Sequence, residues 1–564
     1  MDAALIPFGG GSTLRTKHQP KNHRRILCVF PRYSQVFGTF HHAYRFFPDV
    51  KAFMPPQGLL TIAAYLPEAW EVEFIDENVR EPTDQELEWA DAVLVSSMHV
   101  QKRRVVQIAE RAHAFGKVCA LGGPSVSAAP EYYPMYDYLH CGELGDATDA
   151  LVAMLDETVA RPPQQMVLKT DKRVDLDDFP IPAYRKIKVH QYFTANIQWS
   201  SGCPYRCEFC DIPELYGRNP RLKSPKRMVE ELDALMEAGA HGAIYFVDDN
   251  FIGNKKAAKE LLPHLIEWQK KHNYSIRLAA ELTLNVAQDV EILQLMREAY
   301  FTDVFFGIES PEEETLEAID KQQNLRMPIL EAIKIINAHG IELHAGIILG
   351  LDADGEDAAD KIIRFIDKAQ IPLLAVNVLY ALPKTPLYRR LQKEGRLIET
   401  SDVDESNVVF KLPEAVVVGQ WKKVVEHVFD PENLHARYRH NIVNTYPHRK
   451  KVPLIGQLNA RNLHIAAHSV LSILFRLGFG ANYRPAFWKM ALELLKHGRL
   501  DHLIYIATMG HHLITWGQEV RDGRARAANY TERPIEEELE RRRLSNDPRR
   551  ALLDADRERM RPSA

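Results

Sequence analysis

Short apolar runs alternate with helix-like stretches twice over along this chain, and that repetition admits few folds other than parallel sheets wrapped in helices. In the first series the runs at 26–30, 72–76, 92–96, 118–121 and 138–141 are bounded by turn residues. The stretches 58–66 and 102–114 between them carry apolar residues at helical spacing. A doubly wound, Rossmann-like α/β domain is expected over residues 24–160, after a flexible amino-terminal segment of residues 1–23. Ligands of such sheets sit beyond the carboxyl ends of the strands, so 96–99 and 122–127 are the segments to watch.

Residues 161–194 are poor in regular pattern and contain Pro162, Pro163, Pro180 and Pro182, as an interdomain linker would. A second alternating series follows, with apolar runs at 197–199, 243–247, 277–280, 304–308, 341–349 and 375–379. Six strands with intervening helices predict a barrel or partial barrel over 195–400. One helix start is explicit: Ser224 can cap free amides and Pro225 can take the first helical position. The pattern then turns helical over 401–520, and the tail 521–564 mixes 12 Arg with 10 acidic residues, as a solvated helix or a disordered segment would.

Composition narrows the function. With 71 basic against 76 acidic residues the net charge is −5, so no broad positive field favours a nucleic-acid partner. No run of about 18 apolar residues occurs; the best candidate, 463–475, contains His464 and His468 and meets Arg476. The first 23 residues hold no signal-peptide core, and a cytoplasmic protein is expected. Six cysteines are too few for a disulfide scaffold, yet three of them lie within eight positions.

That triplet, Cys203, Cys207 and Cys210, follows the first strand of the second series, where barrel active sites form. Soft thiolates at this spacing select iron–sulfur clusters, zinc or copper. A structural zinc site is normally closed by four ligands, whereas three thiolates leave one metal corner open to a substrate or cofactor. The alternative is a zinc site completed by a remote His or Cys.

Cys203-Pro204-Tyr205-Arg206-Cys207-Glu208-Phe209-Cys210 resembles the CxxxCxxC motif of the radical S-adenosylmethionine (SAM) superfamily, with Phe209 in the usual aromatic place. The resemblance implies that the three cysteines hold a 4Fe-4S cluster whose open iron binds SAM. It further implies SAM contacts from Asp248 and Asp249 at the end of the second strand, Glu281 after the third, Glu309 after the fourth and Gly346 in the fifth. Adjacent acids on a strand face opposite ways, so one of Asp248 and Asp249 is expected at the ligand and the other in the following turn.

In the first domain, residues 54–60, 121–125 and 141–143 resemble the cobalamin-binding domain that precedes the barrel in one branch of the superfamily. Ser97, Gly122 and Gly123 are the implied cobalamin contacts, with His99 near the same edge. The DxHxxG signature is missing, so a bound cobalamin is expected to lack a histidine lower ligand. Segments 26–33, 52–58, 211–220, 247–254 and 381–387 are similar to the subfamily of radical SAM methyltransferases acting on hopanoids at C-2 of ring A. That similarity implies a hopanoid lipid substrate, an electron donor such as flavodoxin or ferredoxin, and peripheral contact with the inner membrane. Methylases of other lipids or chlorin pigments share several of these segments.

Methylthiotransferases, which carry three further cysteines in an amino-terminal domain, are an open alternative. Cys28, Cys119 and Cys141 lie in or beside predicted strands without cluster spacing, as small buried hydrophobes do. The stretches 463–477 and 487–495 carry apolar faces beside Arg476, Lys489 and Lys496, which suit a helical core or interfacial docking. Amphipathic helices usually pack inward, and the core is the expectation. Tyr380 and Lys384, near the sixth strand end, are candidates for the substrate face.

Overall fold

The computed structural model describes residues 16, 18–398, 406–453, 460–499 and 502–525. Most of the charged tail lies outside the described residues.

Six strands build the first sheet: β1 (Arg25–Phe30), β2 (Glu71–Asp76), β3 (Ala92–Ser96), β4 (Val118–Gly122), β5 (Tyr138–Cys141) and β6 (Met166–Lys169). All pairings are parallel, in the order β2-β1-β3-β4-β5-β6. Strands covered on both faces read as near-continuous apolar runs, which is why β1, β3 and β4 were legible. The two faces of β1 enter different cores: Cys28 packs with the barrel-side core, while Leu27 and Val29 pack against the helix Lys102–Ala114. β6 falls in the proline-rich stretch that the sequence reads as irregular. It is an edge strand with alternating exposure, so its pattern is short and weak.

The second sheet consists of β7 (Ala195–Ile197), β10 (Ala243–Phe246), β11 (Arg277–Leu282), β12 (Phe301–Glu309), β13 (Glu342–Leu349) and β14 (Leu373–Val378). They pair in sequence order, all parallel, as a six-stranded partial barrel. Two short strands, β8 (Ser200–Ser201) and β9 (Arg221–Leu222), pair antiparallel and bracket the cysteine loop between them. The helix Pro225–Glu237 begins as the sequence predicts, with Ser224 Oγ accepting from Arg227 N at 3.3 Å.

The carboxyl-terminal helices cover the barrel where the sheet leaves it open. Trp421, on helix Glu414–Val428, donates Nε1 to the carbonyl of Val376 on the edge strand β14 at 2.9 Å. At the amino-terminal end of β13, buried Glu342 accepts from Tyr505 (2.8 Å), Asn441 (3.3 Å) and Tyr446, which fastens helices Pro431–Asn444 and Leu503–Arg521 beneath the barrel. The remaining helices, Ala460–Ile473 and Arg484–Lys496, differ from the expected helical core. Ile473, Phe487, Met490 and Leu494 point inward, but Leu463, Leu471, Trp488, Leu492 and Leu495 stay exposed.

The carboxyl edges of the two sheets face each other. Glu143, just past β5, accepts from Ser201 Oγ at 2.9 Å and from the Arg221 guanidinium. Lys384, past β14, donates to the carbonyl of Ser127 beside β4. The cysteine loop sits between these edges.

Candidate active site

The cysteine loop leaves β8 through Gly202, whose φ of +99° belongs to the left-handed region that favours glycine. A Cβ there would stand 2.8 Å from the carbonyl of Gly217, and Cys203 N donates to that same carbonyl at 3.2 Å. The far end of the loop is held by Arg390, which makes a two-pronged ion pair with Glu208 (2.5 and 3.0 Å). Cys207 is buried; Cys203 and Cys210 are partly exposed. Burial pushes the Cys203 and Cys210 thiols up, and the neighbouring thiols add to the rise. A site holding three thiolates therefore needs positive charge.

The donor set fits an iron–sulfur cluster with an open corner. Three soft sulfurs share one loop, and Gln323 Nε2 donates to Cys207 Sγ at 3.3 Å. Lys321 Nζ lies 5.4 Å from the Phe209 ring centroid and 2.6 Å from Glu309 Oε1. Buried polar atoms without a partner among the described residues gather on the surrounding segments: Asp248 Oδ2, Ser200 Oγ, Gln323 Oε1 and Asn324 Oδ1. Orphan buried polar atoms are uncommon and mark places where a ligand or water belongs.

Asp248 and Asp249 do not divide their work as expected. Asp248 Oδ1 accepts from the amides of Trp199 and Ser200, both at 2.7 Å, and Asp249 Oδ2 from the amide of Gly202, also at 2.7 Å. Both carboxylates thus fix the strand that leads into the cysteine loop, and each retains a second oxygen. Burial pushes Asp248 up to about 7 against the opposing pull of those amides, and Asp249 up to about 6. Glu281 accepts from Tyr245 at 3.3 Å and is pushed up to about 7 by burial and then by the charge of Asp249.

Glu309 sits at a bulge where β12 slips against β13, at a φ of +66°. Its carboxylate occupies the space that a side chain on Gly307 would need, 2.1 Å from a Cβ built there. Gly346 lies across the same space, 3.6 Å from Glu309 Oε2 by the same construction. Lys321, Gln323 and Asn324 belong to a short turn with no motif to mark them; only the fold carries Lys321 and Gln323 back to Cys207 and Asn324 to the Gly307 and Ile308 carbonyls.

On the opposite edge, Ser97 N donates to the Gly122 carbonyl at 3.1 Å, and Ser125 N donates to the Ser97 carbonyl at 3.3 Å. Gly123 adopts a φ of +103°, and a Cβ there would meet Ser97 O at 2.6 Å. Backbone and small residues therefore floor this edge, which fits the broad face of a corrinoid. His99 Nδ1 pairs with Ser125 Oγ at 3.1 Å, and burial lowers its pKa to about 4. Cys28, Cys119 and Cys141 are all buried, with Cys28 on the sheet face opposite the other two, and form no cluster. Lys384 bridges to the first domain, and burial pushes the nearby Tyr380 hydroxyl up to about 12.

A parallel partial barrel with three thiols on its first loop is the frame of a radical SAM enzyme, and residues 197–366 match the radical SAM superfamily. Residues 385–526 match a domain of unknown function, DUF4070. The chain is 51% identical to the hopanoid C-2 methylase of Rhodopseudomonas palustris over 508 residues, 90% of this chain and 96% of that protein. Among solved structures, the fold resembles the cobalamin-dependent radical enzyme OxsB with aqua-cobalamin and SAM bound (TM-score 0.56, 15% identity, 89% of this chain and 80% of that one). It also resembles the radical SAM methyltransferase TsrM of Kitasatospora setae, solved with cobalamin and a 4Fe-4S cluster (TM-score 0.55, 16% identity, 85% of this chain and all of that one). The chain belongs to the hopanoid C-2 methylase family of radical SAM enzymes.

Proposed function

We propose that this protein is a cobalamin-dependent radical SAM methyltransferase that methylates C-2, in ring A, of a hopanoid. One observation carries the reading: the loop of Cys203, Cys207 and Cys210 stands between the carboxyl edges of a barrel and a glycine-floored parallel sheet, in a chain 51% identical to a hopanoid C-2 methylase. The bound groups supply the difficult chemistry, namely a 5′-deoxyadenosyl radical made from SAM at the cluster and a methyl group carried by cobalamin.

The residues of the chain bind, orient and exclude water. Cys203, Cys207 and Cys210 hold the cluster, and Lys321 offsets part of its negative charge. Asp248, Asp249, Glu281 and Glu309 offer carboxylate oxygens to the ammonium and hydroxyl groups of SAM, and Gly346 lets the adenine approach the backbone. Ser97, Gly122 and Gly123 floor the cobalamin. Arg390 on Glu208 and Gln323 on Cys207 keep the loop in register, so that the reacting groups meet without reorganisation. The reductant is a low-potential carrier such as flavodoxin or ferredoxin, and the acceptor is drawn from a bilayer at the protein's periphery.

The test is anaerobic incubation of reconstituted protein with methyl-deuterated SAM, cobalamin, a strong reductant and diploptene, followed by mass spectrometry. A deuterated methyl group on ring A is the expected product. Release of 5′-deoxyadenosine without a labelled hopanoid would overturn the acceptor while leaving the radical chemistry in place.

A further inference from the structure

Helix Ala460–Ile473 continues into a π-helical segment, Leu474–Phe479, and then into helix Arg484–Lys496. Each element buries one apolar side and exposes another. Leu463, Ala467, Leu471, Phe475 and Phe479 recur every fourth residue, and all five are exposed, Phe475 and Phe479 at 69% each. Four residues overshoot an α-helical turn but fall short of a π-helical one, so the π segment turns Phe479 back toward the stripe. The Phe475 and Phe479 rings lie 6.4 Å apart.

The second helix repeats the arrangement with Trp488, Leu492 and Leu495 outward, at helical spacing. Trp488 Nε1 donates to the carbonyl of Gly478 at 2.9 Å, and a Cβ on Gly478 would stand 2.9 Å from the Trp488 ring. That lock joins the two elements, and Gly478 is required for it. Of the thirteen large apolar side chains exposed among the described residues, seven belong to these two helices and the π segment between them. Contiguous exposed apolar surface of this kind marks an interaction site.

Charge selects the occupant. Residues 460–499 carry six Lys and Arg (Arg461, Arg476, Arg484, Lys489, Lys496 and Arg499) against one acid, Glu493, in a chain whose net charge is −5. A second copy of the chain would bring the same positive patch against itself in a twofold dimer, which like-charge repulsion opposes. No helix among the described residues is long and apolar enough to cross a membrane. An apolar stripe with cations beside it and a tryptophan at its margin instead has the chemistry of a surface that lies on an anionic bilayer.

We infer that the outward face of residues 460–499, centred on Phe475, Phe479, Trp488 and Leu492, docks the protein onto anionic lipid membranes. The inference deepens the reading of a lipid acceptor by naming the surface through which a bilayer-dissolved substrate is reached.

Vesicle co-sedimentation of the reconstituted full chain tests it, with phosphatidylcholine alone against phosphatidylcholine containing phosphatidylglycerol. Wild type is expected to bind the anionic vesicles, to bind the zwitterionic ones far more weakly, and to lose affinity as salt rises. Phe475→Ser/Phe479→Ser and, separately, Arg476→Glu/Arg484→Glu should each lower the bound fraction roughly tenfold, since each removes one of the two contributions to interfacial binding. These side chains are exposed, and an unchanged circular dichroism spectrum excludes misfolding as the cause. Both variants should still form 5′-deoxyadenosine from SAM. Absence of wild-type binding, binding indifferent to lipid charge, wild-type binding by both variants, or association of the chain with itself through this face would overturn the inference. If wild type binds the vesicles yet methylates no hopanoid, the docking surface stands and the acceptor reading falls.

Discussion

Lys321 Nζ lies 2.6 Å from Glu309 Oε1, and both side chains are more than nine-tenths buried. Burial alone would lower the Lys321 pKa, but Glu309 first and Cys207 next hold it above its ordinary value. The pair therefore links the bulge of β12 to the cysteine loop, and it places a fixed cation beside sulfurs that must become thiolates.

Lys321→Met would leave the Glu309 carboxylate buried without its partner. A broken buried pair typically costs roughly 3–5 kcal/mol, because the remaining charge is uncompensated. Anaerobic urea denaturation should show a loss of that order, and Lys321→Met/Glu309→Met should recover most of it. Equal stability of wild type and Lys321→Met would show that water or another cation already serves Glu309.

Gly202→Ala forces a side chain into a left-handed position and 2.8 Å from the Gly217 carbonyl. A strained backbone of this kind costs roughly 1–3 kcal/mol and shifts the loop that follows. Iron and sulfide bound per chain after reconstitution should fall, with the rest of the fold intact. Gly58 is a control inside helix Gln57–Tyr65, where an added Cβ meets nothing within 4 Å. Gly58→Ala should hold full iron and gain about 0.4–1 kcal/mol of stability.

How far the sequence revealed this architecture depended on whether a signal was local. Buried parallel strands read directly, since Ala92–Ser96 and Val118–Gly122 are apolar up to their last residue, and Ser224 with Pro225 marked a helix start within one turn. β6 was hidden because an edge strand of four residues with alternating exposure imposes little composition. The cysteines were legible as a motif, but Lys321 and Gln323 reach them across more than a hundred residues of chain, and nothing local distinguishes them. Asp248 and Asp249 were identified, while their shared hold on the amides of Trp199, Ser200 and Gly202 is a tertiary fact. The apolar face of 460–499 shows the converse: hydrophobic spacing alone cannot tell a buried helix from one clad in apolar residues on two sides.

Glu281 gives the ligand-free protein a measurable pH dependence. Its pKa is pushed up to about 7 by burial and by Asp249, above the roughly 4.3 of an unfolded chain. The native state then binds more protons, so the associated stability is complete below pH ~4.3 and is lost as pH rises to about 7. Glu281→Gln removes that titration. Relative to wild type it should gain on the order of 3–4 kcal/mol between pH ~4 and ~8. Parallel pH profiles of the two proteins would show that folding leaves the Glu281 carboxyl at its unfolded-chain pKa.

The corrinoid edge makes the last prediction. His99 Nδ1 is engaged by Ser125 Oγ, and Ser125 is itself fully buried against Tyr133, so this pair sets the orientation of the imidazole at the edge of the sheet. With no DxHxxG segment to present an imidazole to cobalt, cobalamin bound here should carry no histidine on its lower face. The cob(II)alamin electron paramagnetic resonance spectrum should then lack nitrogen superhyperfine splitting, and His99→Ala should leave it unchanged. Gly123→Ala, which drives a Cβ to 2.6 Å from Ser97 O, should instead reduce the cobalamin retained per chain, read from its visible absorbance. Nitrogen splitting that disappears in His99→Ala would make His99 the lower ligand, through the ring nitrogen opposite the one that Ser125 engages.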